Sequence, residues 1–298
     1  MKPSRSEFIP VRELTYHIRL WGDAAAPKLF MVHGWMDVSA SFQFLVDELK
    51  RDWCVIAPDW RGYGLTEKPR ADSYWFPDYL ADLDAILRHY SPDAPVNLIG
   101  HSLGGNVACL YAGARPERIA KLVNLEGFGM SRTAPEDAPK RYCKFMDQIA
   151  EPPTLKSYAT FDELAARLQQ TNPRLSDVKA AFLARHWGHE VDAPDGKPEG
   201  KPAGRHVELL ADPAHKIVNA TLYRVDEAFA CWEAITAPVL CVTANQSEML
   251  TRWIKEADYR ERLTHFKHLT EASIDQAGHM LQHDQPEELA RLIEEFLA

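Results

Sequence analysis

The sequence predicts an α/β fold, a mostly parallel, doubly wound sheet carrying an inserted helical cap. Two observations carry this. From Thr15 to Leu125, short apolar runs alternate with amphipathic helical stretches, the pattern of parallel strands covered on both faces. From about Ser131 the alternation stops, and it resumes only at Pro238. With 298 residues, 46% of them hydrophobic, the chain can build one large core with an insertion. The expected division is a core of residues 1–130 and 237–298 and a cap of residues 131–236.

Thr15–Trp21 alternates and ends at Gly22-Asp23, as a strand entering a turn does. Leu29–Val32 is a continuous apolar run that stops at His33-Gly34-Trp35. Ser39–Leu49 has helical spacing through Phe42, Leu45, Val46 and Leu49. Trp53–Ala57 is the next buried strand, followed by Pro58-Asp59-Trp60-Arg61-Gly62-Tyr63-Gly64. Tyr79–Tyr90 is amphipathic, with Leu80, Leu83, Ile86 and Leu87 on one face. Val96–Ile99 is a strand, Asn106–Ala112 a helix, and Ala120–Leu125 a strand closing on Glu126-Gly127.

Beyond Ser131 no strand is expected. Phe161–Leu168 and Val178–Trp187 read as short helices and His189–Arg205 as a loop, while Val207–Thr236 contains a second helical stretch with Leu222, Val225, Phe229 and Trp232. Pro238–Thr243 resumes the sheet, and Phe266–Ile274 holds the last strand. Pro286–Leu297 is a helix with proline in its first turn.

The chemistry concentrates at Gly100-His101-Ser102-Leu103-Gly104. This matches G-x-S-x-G in the strand–turn–helix context the motif requires. Ser102 would sit at the apex of a strained turn with its hydroxyl exposed. A serine hydroxyl is a poor nucleophile unless a base lies within reach and a third group orients that base. For this motif the chain order is serine, acid, histidine. His279, in Ala277-Gly278-His279-Met280, is the expected base; His283 is the competitor, closer to the start of a helix.

These motifs, with His33-Gly34-Trp35 and Asp59-Trp60-Arg61-Gly62-Tyr63-Gly64, make the chain resemble the α/β-hydrolase fold superfamily over nearly its whole length. The resemblance implies an oxyanion hole formed by the backbone N–H groups of Trp35 and Leu103. Two such donors, one at a helix N-terminus, suit a tetrahedral oxyanion. Many members carry an Asp in the turn after the strand equivalent to Pro238–Thr243. Here Ser247 stands at that place and Glu248 one residue later. Glu126 is the expected acid, because a carboxylate ending an apolar parallel strand fits poorly as a solvated surface group. Similarity to haloalkane dehalogenases with an acid after this strand supports the relocation, and Glu248 is the alternative. Those dehalogenases and most epoxide hydrolases of the superfamily use Asp as nucleophile, so Ser102 implies acyl transfer to water.

The expected activity is therefore hydrolysis of an ester, thioester or lactone. A C–C bond hydrolase or cofactor-free perhydrolase would use the same groups, and a binding or receptor protein would keep them with little turnover. Trp187, Tyr223 and Trp232 in the cap are expected to line the acyl pocket. The second half of the cap, Ala211-Asp212-Pro213 onward, is similar to the serine hydrolase-like branch. Three features are read as structural. His186-Trp187-Gly188-His189-Glu190 lacks metal-site spacing. His101 points away from the nucleophile. Asp59 and Arg61 tie down their own turn, with Asp37 or Arg61 able to reach the pocket rim.

No cofactor or metal is expected, and the expected partner is a small acyl substrate. A formal net charge of −9 argues against a nucleic-acid partner. Five scattered cysteines without C-x-x-C read as free thiols in a reducing cytoplasm. The N-terminus leads into no long apolar stretch, so neither a signal peptide nor a membrane span is expected. Oligomeric state is left open.

Overall fold

The computed structural model describes residues 1–192, 204–249 and 256–298. Among these, eight strands form one sheet. In chain order they are β1 (Ser4–Val11), β2 (Leu14–Trp21), β3 (Lys28–Val32), β4 (Cys54–Pro58), β5 (Val96–His101) and β6 (Ile119–Leu125). After the insertion, which contains the short strands β7 (Gly188–Val191) and β8 (His206–Leu209), come β9 (Val239–Ala244) and β10 (Leu269–Ile274). Their order across the sheet is β1-β2-β4-β3-β5-β6-β9-β10. β1–β2 and β2–β4 are antiparallel, and every other adjacent pair is parallel.

The alternating side chains of the central strands enter two different cores. Phe30, Ile56, Leu98 and Leu122 face one, with Tyr79, Leu83, Val107 and Phe229. Met31, Val55, Ile99 and Val123 face the other, with Leu45, Val46, Leu289 and Ile293. These strands are therefore buried on both faces, which is why they read as unbroken apolar runs. The covering helices include α1 (Gln43–Glu48), α2 (Phe76–Tyr90) and α3 (Leu103–Ala114).

The segment between β6 and β9 holds α4 (Ala138–Ala150), α5 (Phe161–Thr171), α6 (Asp177–Trp187) and α7 (Val225–Ala234). The expectation of no strand here is corrected by β7 and β8, which form an antiparallel pair with Gly188 opposite Leu209. A four-residue strand in a small polar sheet leaves almost no periodic signal. Residues 193–203 of the expected His189–Arg205 loop lie outside the described residues. α4 and β1 were also not predicted. α4 buries none of its residues, and β1 is a sheet edge with five of its eight residues exposed, so neither shows a strong apolar pattern. After β9 the chain forms α8 (Glu256–Leu263), β10, α9 (Leu281–Asp284) and α10 (Pro286–Leu297).

Parallel strands put their carboxyl ends at one edge. There the loops after β3, β5, β6, β9 and β10 meet, carrying Trp35, Ser102, Glu126, Ser247 and His279.

Candidate active site

Ser102 is the turn between β5 and α3, with φ 52° and ψ −114°. A positive φ is unfavourable for a residue with a β-carbon, and this one persists because backbone bonds fix both sides. Ser102 N–H donates to Leu125 O at 2.8 Å, and Ser102 O accepts from Asn106 N–H at 3.0 Å. The flanking glycines are required by close approach. A β-carbon on Gly100 would fall 2.4 Å from Gly104 O, and one on Gly104 would fall 2.2 Å from Val32 O.

His279 lies in the loop after β10. Its Nε2 is 3.0 Å from Ser102 Oγ, and its Nδ1 is 2.8 Å from Glu126 Oε2. Glu126 is buried at the end of β6, itself at φ 54°. Its carboxylate accepts two further hydrogen bonds, from Ala244 N–H at 2.8 Å on Oε1 and from the Ser247 hydroxyl at 2.5 Å on Oε2. Three donors thus surround one buried carboxylate and satisfy its lone pairs. Glu248, the alternative acid, is exposed. His283, the alternative base, is buried against the Phe44 ring at 5.7 Å and pushed down to about 3 by burial.

The His279 loop is pinned from three sides. His101 Nε2–H donates to His279 O at 2.8 Å, turning the imidazole away from Ser102 as expected. Burial holds the His101 pKa well below its ordinary value, so it stays a neutral donor. Gln246 N–H donates to Ala277 O at 3.0 Å, linking the β9 turn to this loop. Asp284 Oδ2 accepts from Gly278 N–H at 2.8 Å, while its Oδ1 accepts from Asn172 of the insertion at 2.7 Å.

The loop after β3 runs beside the serine. A β-carbon on Gly34 would lie 3.1 Å from Ser102 Cβ. His33 locks this loop: its Nδ1–H donates to Gly34 O at 2.8 Å, its Nε2 accepts from Trp60 N–H at 2.9 Å, and burial lowers its pKa to about 4. Trp35, next in line, has an exposed side chain whose indole N–H donates to His215 O at 3.2 Å. Leu103 opens α3, where backbone N–H groups lack helical partners.

Asp59 tethers the surrounding turns. It accepts from His17 Nδ1 at 2.7 Å, Ser39 N–H at 2.7 Å and Leu65 N–H at 3.0 Å. Burial alone would raise its pKa, but the hydrogen bonds it accepts, the one from His17 first and the one from Leu65 N–H with it, hold it well below the usual carboxylate range. Arg61 does not tie its own turn. It makes a two-pronged contact to Asp82 of α2, at 2.6 and 2.8 Å.

The three insertion aromatics separate. Trp187 lines a cavity together with Asp37 and Tyr63. Trp232 is 2% exposed and stacks on Phe266 at 5.1 Å, filling the core between α7 and the sheet. Tyr223 is likewise buried, packed at 5.9 Å against Phe76. Large aromatics close an apolar interface as readily as they line a pocket, and only packing tells the two apart. Of His186 and His189, the first bonds Phe182 O at 2.9 Å within its helix and the second is exposed on β7. The contribution of Ser247 was not foreseen; the signal was a hydroxyl residue standing where an acid is common.

Chemically, a hydroxyl, an imidazole and a buried carboxylate in one hydrogen-bonded line can transfer a proton from the hydroxyl to the imidazole and stabilise the resulting charge.

A family model described as alpha/beta hydrolase fold matches residues 27–286. A "Serine hydrolase-like protein" of Danio rerio is 32% identical over 64% of this chain, and the match spans 61% of that relative's length. The "3-hydroxybutyrate-oligomer hydrolase" of Cupriavidus necator is 27% identical over 94% of this chain and 91% of its own. A solved "Thioesterase Domain From Curacin Biosynthetic Pathway" superposes with a TM-score of 0.83 at 20% identity, covering 98% of this chain and 99% of that one, a likeness of fold.

Proposed function

The chain belongs to the alpha/beta hydrolase fold family, and on that footing we propose that it is a serine hydrolase cleaving an ester, thioester or lactone bond. The observation that carries this is the continuous line Glu126–His279–Ser102, with contacts of 2.8 and 3.0 Å. In this reading His279 Nε2 takes the proton of the Ser102 hydroxyl as Oγ attacks the acyl carbon. Glu126 keeps Nδ1 protonated and stabilises the imidazolium. The Trp35 and Leu103 N–H groups hold the oxyanion, aided by the N-terminal end of α3. The protonated His279 then gives its proton to the leaving group. Water, activated by the same imidazole, hydrolyses the acyl-enzyme. Residues 131–236 act as the cap. The name of one similar protein supports the bond type: it is a 3-hydroxybutyrate-oligomer hydrolase.

The test is labelling with a fluorophosphonate probe, which reacts with an activated serine. Wild type should label and Ser102→Ala should not. A wild type that stays unlabelled while folded would refute the reading. Hydrolysis of p-nitrophenyl esters of increasing acyl length then measures the depth of the pocket.

A further inference from the structure

The insertion meets the catalytic loops at a polar turn, residues 172–176, which joins α5 to α6. Asn172 Nδ2–H donates to Asp284 Oδ1 at 2.7 Å, and Asp284 Oδ2 accepts from Gly278 N–H at 2.8 Å. Gly278 is the residue before His279. The Arg174 guanidinium donates to Gln246 Oε1, in the turn after β9 and next to Ser247. It also lies over Gly278, where a β-carbon would meet its Nη1 at 3.1 Å. On α6, Lys179 Nζ donates to His283 O at 2.5 Å.

The turn holds its own shape. Asn172 Oδ1 accepts from Arg174 N–H at 3.2 Å, which aims the amide nitrogen at Asp284. Asn172 N–H donates to Leu168 O at 2.8 Å, and Leu175 N–H donates to Asn172 O at 3.0 Å. Leu175 is buried with Phe44 of α1, so an apolar contact with the core seats the turn. The Asp284 side chain is 1% exposed. A carboxylate so deeply buried needs donors on both oxygens. One oxygen takes its donor from the insertion and the other from the His279 loop.

We propose that Asn172 and Arg174 are positioning residues for hydrolysis at Ser102: through Asp284 and Gln246, the insertion holds the His279 loop where Nε2 meets Ser102 Oγ. The inference deepens the serine-hydrolase reading and rests on it. It gives the insertion a second task besides covering the site. β10 ends at Ile274, five positions before His279, so the imidazole stands where the bonds of its loop put it. Proton transfer from Oγ to Nε2 depends on their 3.0 Å contact, and a displacement of about 1 Å costs about a hundredfold in rate. A contact that merely glued the insertion down could end anywhere on the core. These bonds end on the two loops that carry His279 and Ser247, and Gln246 N–H joins those loops by donating to Ala277 O at 3.0 Å.

Two measurements test this. The first is the rate constant of fluorophosphonate labelling, alongside kcat/KM for p-nitrophenyl acetate. Asn172→Ala and Arg174→Ala should each lower both about tenfold, because both reactions begin as the Ser102 proton leaves for His279. A merely structural contact would lower Tm and the fraction of molecules that label, with the labelling rate of the folded fraction unchanged, and that result would overturn the proposal. Asn172→Asp sets a second carboxylate against Asp284 and should slow labelling at least as much. Adding Asp284→Asn exchanges the polarity of the bond: the new amide donates to the new carboxylate and still accepts from Gly278 N–H. The double variant should return to within about threefold of wild type. A double variant as slow as Asn172→Asp alone would equally overturn the proposal.

The second measurement does not depend on turnover. Amide hydrogen–deuterium exchange of residues 275–285 should be at least about tenfold faster in Asn172→Ala than in wild type, with the turn around Ser102 unchanged. Equal exchange in the two proteins would refute the proposal. If this segment responds while the fluorophosphonate fails to label wild type, the insertion still holds the His279 loop and the serine-hydrolase reading falls. If wild type labels and neither the labelling rate nor the exchange responds to Asn172→Ala, the serine-hydrolase reading stands and the positioning role falls.

Discussion

Under the proposed mechanism Glu126 is the acid that orients His279, and Ser247 supports it. The carboxylate comes from the end of β6, while the turn after β9 contributes only a hydroxyl, aimed at Glu126 Oε2. Replacing Glu126 by Gln removes the charge opposite the imidazolium and the fixed tautomer of His279. The expected loss in kcat is about 10⁴-fold, with Glu248→Gln close to wild type. Comparable losses in the two variants would place the acid elsewhere. Ser247→Ala removes one of three donors from a buried carboxylate without removing the charge. Loss of one such bond is worth about 1–2 kcal/mol, so kcat should drop about tenfold, with recovery in Ser247→Thr. A kcat unchanged in Ser247→Ala would mean that the hydroxyl only fills space. Ser247 was legible as an anomaly, and only the fold showed which carboxylate it serves.

Elements place these residues through tight contacts that tolerate little. α3 starts at Leu103, and its seat depends on Gly104 lying against the carbonyls of β3. Further along, a β-carbon on Gly113 would fall 2.0 Å from Cys231 O, so α3 and α7 touch backbone to backbone. Gly113→Ala must push α7 away and disturb the stack of Trp232 on Phe266. We expect about 2 kcal/mol or more of lost stability in urea unfolding, with the folded fraction still labelled at Ser102. A stability equal to wild type would show that α7 moves freely. The elements of the central sheet were readable because burial on both faces writes itself as apolar runs. β1, α4, β7 and β8 were not, because edge strands and solvated helices depend on neighbours rather than on their own pattern.

Across the whole molecule, buried histidines set the response to acid. His33, His215 and His283 are held neutral by burial, with pKa values lowered to about 4, about 3 and about 3 from the ordinary 6.5. The unfolded chain binds these protons first. Their contribution is therefore complete above about pH 6.5 and is lost as the pH falls towards 3 or 4. Asp59, with a lowered pKa, adds stability that is lost below the usual carboxylate range. Asp37 acts in the opposite sense. Its folded pKa of about 7 gives stability below the ordinary 3.8 that fades as the pH rises to 7. Three histidines outweigh one aspartate, so Tm should rise between about pH 4 and pH 6.5. A flat or falling Tm in differential scanning calorimetry over that interval would contradict this balance. No helix among the described residues is long and apolar enough to cross a membrane. The sequence by itself determined the parallel sheet and the turn around Ser102. Both follow from local requirements: apolar runs for two-sided burial, and glycines where backbones meet. Which carboxylate faces His279, and which insertion aromatics fill the core and which line a cavity, were decided only by tertiary structure. These are relations between residues distant in the chain, Glu126 and His279 being 153 positions apart, set by how the loops converge at one sheet edge and how the insertion folds over them.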